Sequence, residues 1–242
     1  MPKKYPMYLP LSRGNSKLGE DGIWQWGLPA VATCPGRSPE CVLACYALKH
    51  RYRFPNVQTR LEANMAARLH LQDWIASVTA QIAMHRIKAV RIHTSGDFDS
   101  AAYVDAWRAI AKARPKTRFY AYSRSWSVDD LAMRSSLRAF ARLKNAQLWL
   151  SFDRSMETPP RWADCKRAYM AVDDTDIPAK GSADMVFRVR RKTKAVRIGG
   201  IVVCPAERER AAKATCETCR LCIDRTDWVD RANAKPNALP VV

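Results

Sequence analysis

No stretch of this chain approaches the ~18 consecutive apolar residues of a membrane-crossing helix, which excludes a helical membrane protein. The start, MPKKYPMYLPLSRGN, is basic but holds no apolar run and no small-residue cleavage site. A secretory leader is therefore not expected, and the cytoplasm is the expected compartment. Internal repeats and low-complexity tracts are absent as well, and RANAKPNALPVV reads as a loose tail. Acidic residues are scarce: 23 Asp and Glu face 41 Lys and Arg, for a net charge of +18. That excess favours polyanions such as DNA, RNA, a nucleotide or an anionic cofactor, with a generally basic surface as the plain alternative.

The chain has 242 residues and is 48% hydrophobic, enough to bury a core without crosslinks. Its middle alternates regularly. KAVRIHTSGDF (88–98) reads as a buried strand ending in a polar loop, and DSAAYVDAWRAIAKAR (99–114) as a helix capped by Asp99 or Ser100 and stopped by Pro115. TRFYAYSRS (117–125) is the next strand. SVDDLAMRSSLRAFARLK (127–144) is a helix opening on a Ser-x-x-Asp cap, and AQLWLSFDRS (146–155) is another strand. GIWQWGLPAVATC (22–34), MVFRV (185–189) and GGIVVCP (199–205) supply three more strands, and residues 56–86 read as one broken helix or two. This alternation implies βαβ units on a parallel sheet: an α/β fold, a partial (β/α)6 barrel over residues 1–203 with a cysteine-rich extension at 204–242. Polar clusters follow the strand ends, where parallel sheets bind ligands.

Seven of the eight cysteines fall in two sets. Cys34, Cys41 and Cys45 have the spacing C-x6-C-x3-C, and Cys204 is followed by CETCRLC, which holds Cys216, Cys219 and Cys222. Cys165 stands alone and reads as a small buried hydrophobe. Grouped cysteines in a cytoplasmic chain bind metal or do redox chemistry. The second set suits a [4Fe–4S] cluster, each sulfur meeting its own iron, with a four-cysteine zinc site as the alternative. The first set has three ligands, which leaves one iron of such a cluster open to a small molecule. A histidine could close it instead: His50 or His93, although His93 lies in a strand and reads as a core or hydrogen-bonding residue, while His70 and His85, on helical stretches, read as structural.

CPGRSPECVLACYA (34–47) resembles the cysteine signature of the phage gene product 88 family. The resemblance continues through VRIHTSGDFDSAAYVDAW, RFYAYSRS and the C-terminal cysteines. The layout also resembles the radical SAM superfamily. That resemblance implies a [4Fe–4S] cluster on Cys34, Cys41 and Cys45, with S-adenosylmethionine chelating the open iron. It sets Ser95, Gly96 and Asp97 where the superfamily holds the methionine amine, and makes the second set an auxiliary cluster. The cysteine spacing is longer than the superfamily's usual one, and Asp97 stands for a glutamate.

Other candidates come from the residues themselves. Asp97 either accepts from an ammonium or caps the helix that follows. Arg124, Asp153 and Arg154 follow two strands and suit a substrate carboxylate, phosphate or ribose, or else form ion pairs. Two basic runs suit a nucleic-acid backbone: Lys49, Arg51 and Arg53 among aromatics, and Arg188, Arg190, Arg191 and Lys192. The expected function is a two-cluster iron–sulfur enzyme of radical SAM-like kind acting on nucleic acid or a nucleotide. The alternative is a non-catalytic iron–sulfur or zinc protein that binds DNA or RNA.

Overall fold

The computed structural model describes residues 10–19, 22–207 and 215–224. Nine strands form one sheet: β1 (Ser12–Arg13), β2 (Ile23–Gln25), β3 (Ala89–Ile92), β4 (Arg118–Ser123), β5 (Ala146–Phe152), β6 (Cys165–Ala171), β7 (Met185–Arg188), β8 (Arg197–Ile198) and β9 (Ile201–Val203). Their order is β1-β2-β3-β4-β5-β6-β7-β9-β8. From β2 to β9 the neighbours are parallel and lie in chain order, while β1 and β8 pair antiparallel at the edges. The sheet is not closed on itself.

All six expected strands form, and three more join them. Two of the additions, β1 and β8, span two residues each, too short to leave a periodic signal. The third, CKRAYMA, hides its period under charge: Arg167, Tyr169 and Ala171 face one way, Lys166, Ala168 and Met170 the other. The expected strand–helix alternation holds only for the first half. Helices α1 (Pro39–Ala44), α2 (Pro55–Ala67) and α3 (Leu71–Met84) lie between β2 and β3. The helix α4 (Ala101–Ala113) follows β3, and α5 (Leu131–Ala141) follows β4. Loops join β5 to β6 and β6 to β7.

Of the two expected caps for α4, Ser100 serves, accepting from the Tyr103 N–H; Asp99 pairs with Arg68, and Asp97 does not cap the helix. Asp130, not Ser127, caps α5, because Ser127 belongs to a short 3-10 turn before it.

The strands have two different faces. Val90 and Ile92, Phe119 and Ala121, and Leu148, Leu150 and Phe152 pack beneath α3, α4 and α5. Trp26, Trp74, Trp107 and Tyr103 interlock there, with the Trp26 indole N–H donating to the Tyr103 hydroxyl at 2.7 Å. Cys165 also packs on this side. The alternate residues Tyr120, Tyr122, Trp149, Ala168, Met185 and Phe187 face the other way. Residues 215–224 lie across that second face. Leu221 and Cys219 are buried with Trp149 and Met185, and Ile223 with Ile23, Ala89 and Tyr120. Residues 215–224, including the short helix α6 (Cys216–Cys219), therefore add to the core of the sheet. Among the described residues no helix is long and apolar enough to cross a membrane.

His93 leaves β3 on the helix side, edge-on to Phe98 at 4.5 Å. The Tyr103 hydroxyl, which accepts from Trp26, is hydrogen-bonded to its Nε2 at 3.1 Å. His93 is thus a neutral core residue: burial first, then the Arg68 and Arg91 charges, lower its pKa to about 3. Between that value and the unfolded one, the unfolded chain binds a proton that the native state refuses, so this contribution is present above pH 6.5 and lost as pH falls. Urea unfolding at several pH values should show the wild type losing stability relative to His93→Gln below pH 6.5, by about 1.4 kcal/mol per pH unit at the steepest. Parallel curves for the two proteins would contradict the assignment.

Candidate functional site

The first cysteine set lies on the loop and short helix that follow β2. Ser38 caps α1 by accepting from the Cys41 N–H at 3.0 Å, and Pro39 opens the helix without needing a donor. The Ser38 hydroxyl donates to Asp153 Oδ2 at 2.5 Å, and Arg124 Nη1 donates to the same oxygen at 2.5 Å. Asp153 follows β5 and Arg124 follows β4, so two strand ends hold the residue that orients Cys41. The other Asp153 oxygen accepts from the Ser155 hydroxyl and N–H. Burial alone would raise the Asp153 carboxyl, but the hydrogen bonds from Ser155 and Ser38 and the Arg124 charge hold it below its usual range. Arg154 pairs with Glu40 at 2.6 Å and ties α1 to the same strand end.

Gly36 explains the Pro-Gly turn between Cys34 and Cys41. A Cβ there would sit 2.1 Å from the Arg124 carbonyl oxygen, so the loop backbone rests directly on the end of β4. A second brace comes from the loop after β3. Leu28 N–H donates to the Ser95 carbonyl, the Ser95 hydroxyl donates to the Leu28 carbonyl, and Asp97 N–H donates to the Thr33 carbonyl. Gly96 takes φ +77°, and a Cβ on it would meet Thr33 Oγ1 at 2.6 Å. Asp97 is buried and accepts from the Phe98 and Arg124 N–H groups, both at 2.7 Å. Burial dominates and raises its pKa to about 6.

These braces set Cys34, Cys41 and Cys45 within electrostatic reach of one another. Cys34 lies near enough to Asp97, Cys41 and Cys45 for their charges to add to the effect of burial, which pushes its thiol up to about 12. Cys41 has the Arg124 charge, Cys45, Asp153 and Asp97 around it. A cavity of about 910 Å³ opens beside the loop, between Gly36 and Ser38 on one wall and Trp126, Arg134, Met156 and Trp162 on the others.

The second set gathers on the sheet face away from the helices. Cys204 follows β9, and burial pushes its thiol up to about 12. Cys216, Cys219 and Cys222 surround it on the folded-back segment. That segment is fixed by Cys216 and Glu217 N–H groups donating to the carbonyls of Lys17 and Leu18, and by the Trp149 indole donating to the Cys222 carbonyl at 3.1 Å. Lys17 Nζ sits 3.3 Å from Glu207 and beside Cys204 and Cys216. None of the eight cysteines is in a disulfide. Among the described residues no three His, Cys, Asp or Glu converge closely enough to hold a single metal ion.

Several other candidates take structural places. Arg188 is buried and committed to Asp174, at 2.5 Å, and to the carbonyls of Thr193 and Glu207, so it does not face a nucleic acid. Lys192 pairs with Asp173 at 2.7 Å, Arg191 lies 3.9 Å from Glu207, and Arg190 is exposed. Lys49, Arg51 and Arg53 are exposed on two 3-10 turns after Cys45, together with Leu48 and Phe54. His50 is exposed among them. Sequence gives no signal for Lys17, remote from every cysteine. Arg91, Tyr120 and Tyr122 could have been found by parity, since each stands on the non-helix side of its strand.

A parallel sheet in chain order, with thiols at its strand ends and on its open face, defines a cysteine-centred α/β protein. The chain belongs to the gene product 88 family, whose model matches residues 9–225. It is 31% identical over 176 residues to the gene 88 protein of Mycobacterium phage L5, covering 68% of this chain and 71% of the relative. With the gene 88 protein of Mycobacterium phage D29 it shares 27% identity over 216 residues, covering 82% of each. No solved structure matches.

The close approach at Gly36 makes a direct prediction. Gly36→Ala should cost about 1–3 kcal/mol in urea unfolding, because backbone on both sides leaves the added methyl nowhere to go. An unchanged midpoint would show that the loop does not rest on Arg124.

Proposed function

We propose that the chain is an iron–sulfur protein with two four-iron centres on a partial α/β barrel, an enzyme of radical SAM-like kind. The observation that carries this reading is the sorting of seven thiols into a set of three and a set of four on one sheet, none of them in a disulfide. Thiolates are soft ligands suited to such centres.

In this reading Cys34, Cys41 and Cys45 hold a centre with one open iron, and Cys204, Cys216, Cys219 and Cys222 hold a closed one. Such a centre, when bound, would supply one-electron reduction of S-adenosylmethionine. The chain's own residues position that ligand. Ser38, Asp153 and Arg124 fix Cys41, Ser95 and Gly96 fix the facing loop, and Asp97, held by the Phe98 and Arg124 N–H groups and by Ser123, is the carboxylate that would receive an ammonium. The cavity of about 910 Å³ borders residues 35–39 of that loop.

A nucleic acid or nucleotide is the substrate class that the charge of +18 favours. The runner-up, a non-catalytic iron–sulfur or zinc protein binding DNA or RNA, draws on the surface beside Cys45. Arg51 and Arg53 are exposed there next to Phe54, which is 56% exposed, a pairing suited to phosphates and stacked bases.

Anaerobic purification should yield about eight iron and eight sulfide per chain, falling by about half in Cys45→Ala. Zinc without sulfide would remove the iron–sulfur reading. Reduction with S-adenosylmethionine should release 5′-deoxyadenosine above the Cys45→Ala background, and its absence would leave the runner-up. For single-stranded DNA or RNA, Arg51→Ala with Arg53→Ala should reduce the salt slope of log K by about 1–2; an unchanged slope would acquit this surface.

A further inference from the structure

The sheet face that carries the second cysteine set also carries polar groups that the protein itself leaves unanswered. Arg91 projects from the middle of β3, beside Tyr120 in register on β4. Its guanidinium has no carboxylate partner among the described residues, and its Nε is shielded from solvent with no hydrogen-bond partner. Tyr120 is 1% exposed, and its hydroxyl has no partner. The Tyr122 hydroxyl has no nitrogen or oxygen partner either and sits beside the Cys222 thiol. Both rings pack with Cys216 and Cys222. Arg91 lies near Cys216, with its Cζ 5.9 Å from the Tyr122 ring centroid. Lys17, paired with Glu207 at 3.3 Å, also lies near Cys204 and Cys216.

Leaving so many donors and a cation without acceptors in one buried place is costly. The neighbours they share are thiols, which are poor acceptors when protonated and strong ones as metal-bound thiolates. We propose that Arg91, Lys17, Tyr120 and Tyr122 supply the counter-charge and hydrogen bonds for an anionic metal–thiolate centre on Cys204, Cys216, Cys219 and Cys222. This rests on the reading of the second set as a metal site, but not on the metal being iron. The four are positioning residues: they lie beside the sulfurs, and through them set how tightly the metal is held and how readily the centre takes an electron. A cation or hydrogen-bond donor at the sulfurs stabilises the more negative, reduced state.

The test uses full-length protein purified anaerobically as wild type, Arg91→Gln, Arg91→Lys and Tyr122→Phe. Metal retained at the second set is measured against graded chelator, and, where iron is present, its midpoint potential by EPR-monitored titration. Arg91→Gln should lose metal at tenfold or lower chelator, and its one-electron equilibrium should shift tenfold toward the oxidised form, about 59 mV. Tyr122→Phe should shift the same way, and Arg91→Lys should restore most of the effect, which a merely structural role would not produce. Wild-type retention and potential in both Arg91→Gln and Tyr122→Phe would overturn the inference while leaving the iron–sulfur reading intact. Zinc in the wild type, lost earlier from Arg91→Gln, would support the inference and sink the iron–sulfur reading. A wild type holding neither metal would overturn both.

Discussion

The buried pairing of Arg124 with Asp153, bridged by the Ser38 hydroxyl, is the contact on which the cysteine loop depends. It joins three separate parts of the chain: the ends of β4 and β5 and the cap of α1. A buried ion pair contributes little net stability over a well-packed apolar replacement, but breaking one side leaves an unpaired charge at a cost of about 3–5 kcal/mol. Its value here is positional. The oxygen that caps Cys41 is the one that Arg124 and Asp153 hold in place, and the Arg124 backbone both supports Gly36 and donates to Asp97. A single residue at a strand end thus reaches the cysteine loop through its side chain, its N–H and its carbonyl.

The second consequence is a division of labour between the sheet's faces. The helix side is apolar and aromatic, and even its histidine is held neutral. The opposite side carries tyrosines, a tryptophan, cations and the four-cysteine set, sealed by the folded-back C-terminal segment. The first set sits at the strand ends and the second lies on the face below them. They share one sheet, and Cys204 of the second set directly follows β9.

Much of this was legible in the sequence because period and spacing are local. The strands VRIH, RFYAYS and AQLWLSF announced themselves by apolar content, and the two sulfur sets by clustering. CKRAYMA did not, because its alternation is masked by Lys166 and Arg167. The loops replacing later helices could not be read, since a strand leaves no record of how the chain returns to the next one. Roles were harder than positions. Arg124 and Asp153 read as ligand-holding groups, yet their polar atoms face each other and Ser38. Arg188, in a basic run, is buried against Asp174. Lys17 joins the site from residues that carry no motif at all, so only the fold brings it to Cys204.

The central claim is that two separate groups of thiols hold two separate polynuclear centres. Anomalous diffraction at the iron edge, from crystals grown anaerobically, tests it most directly. The account predicts two iron peaks, one within Cys34, Cys41 and Cys45 and one within Cys204, Cys216, Cys219 and Cys222. A single zinc peak, or cystine bonds within either group, would contradict it.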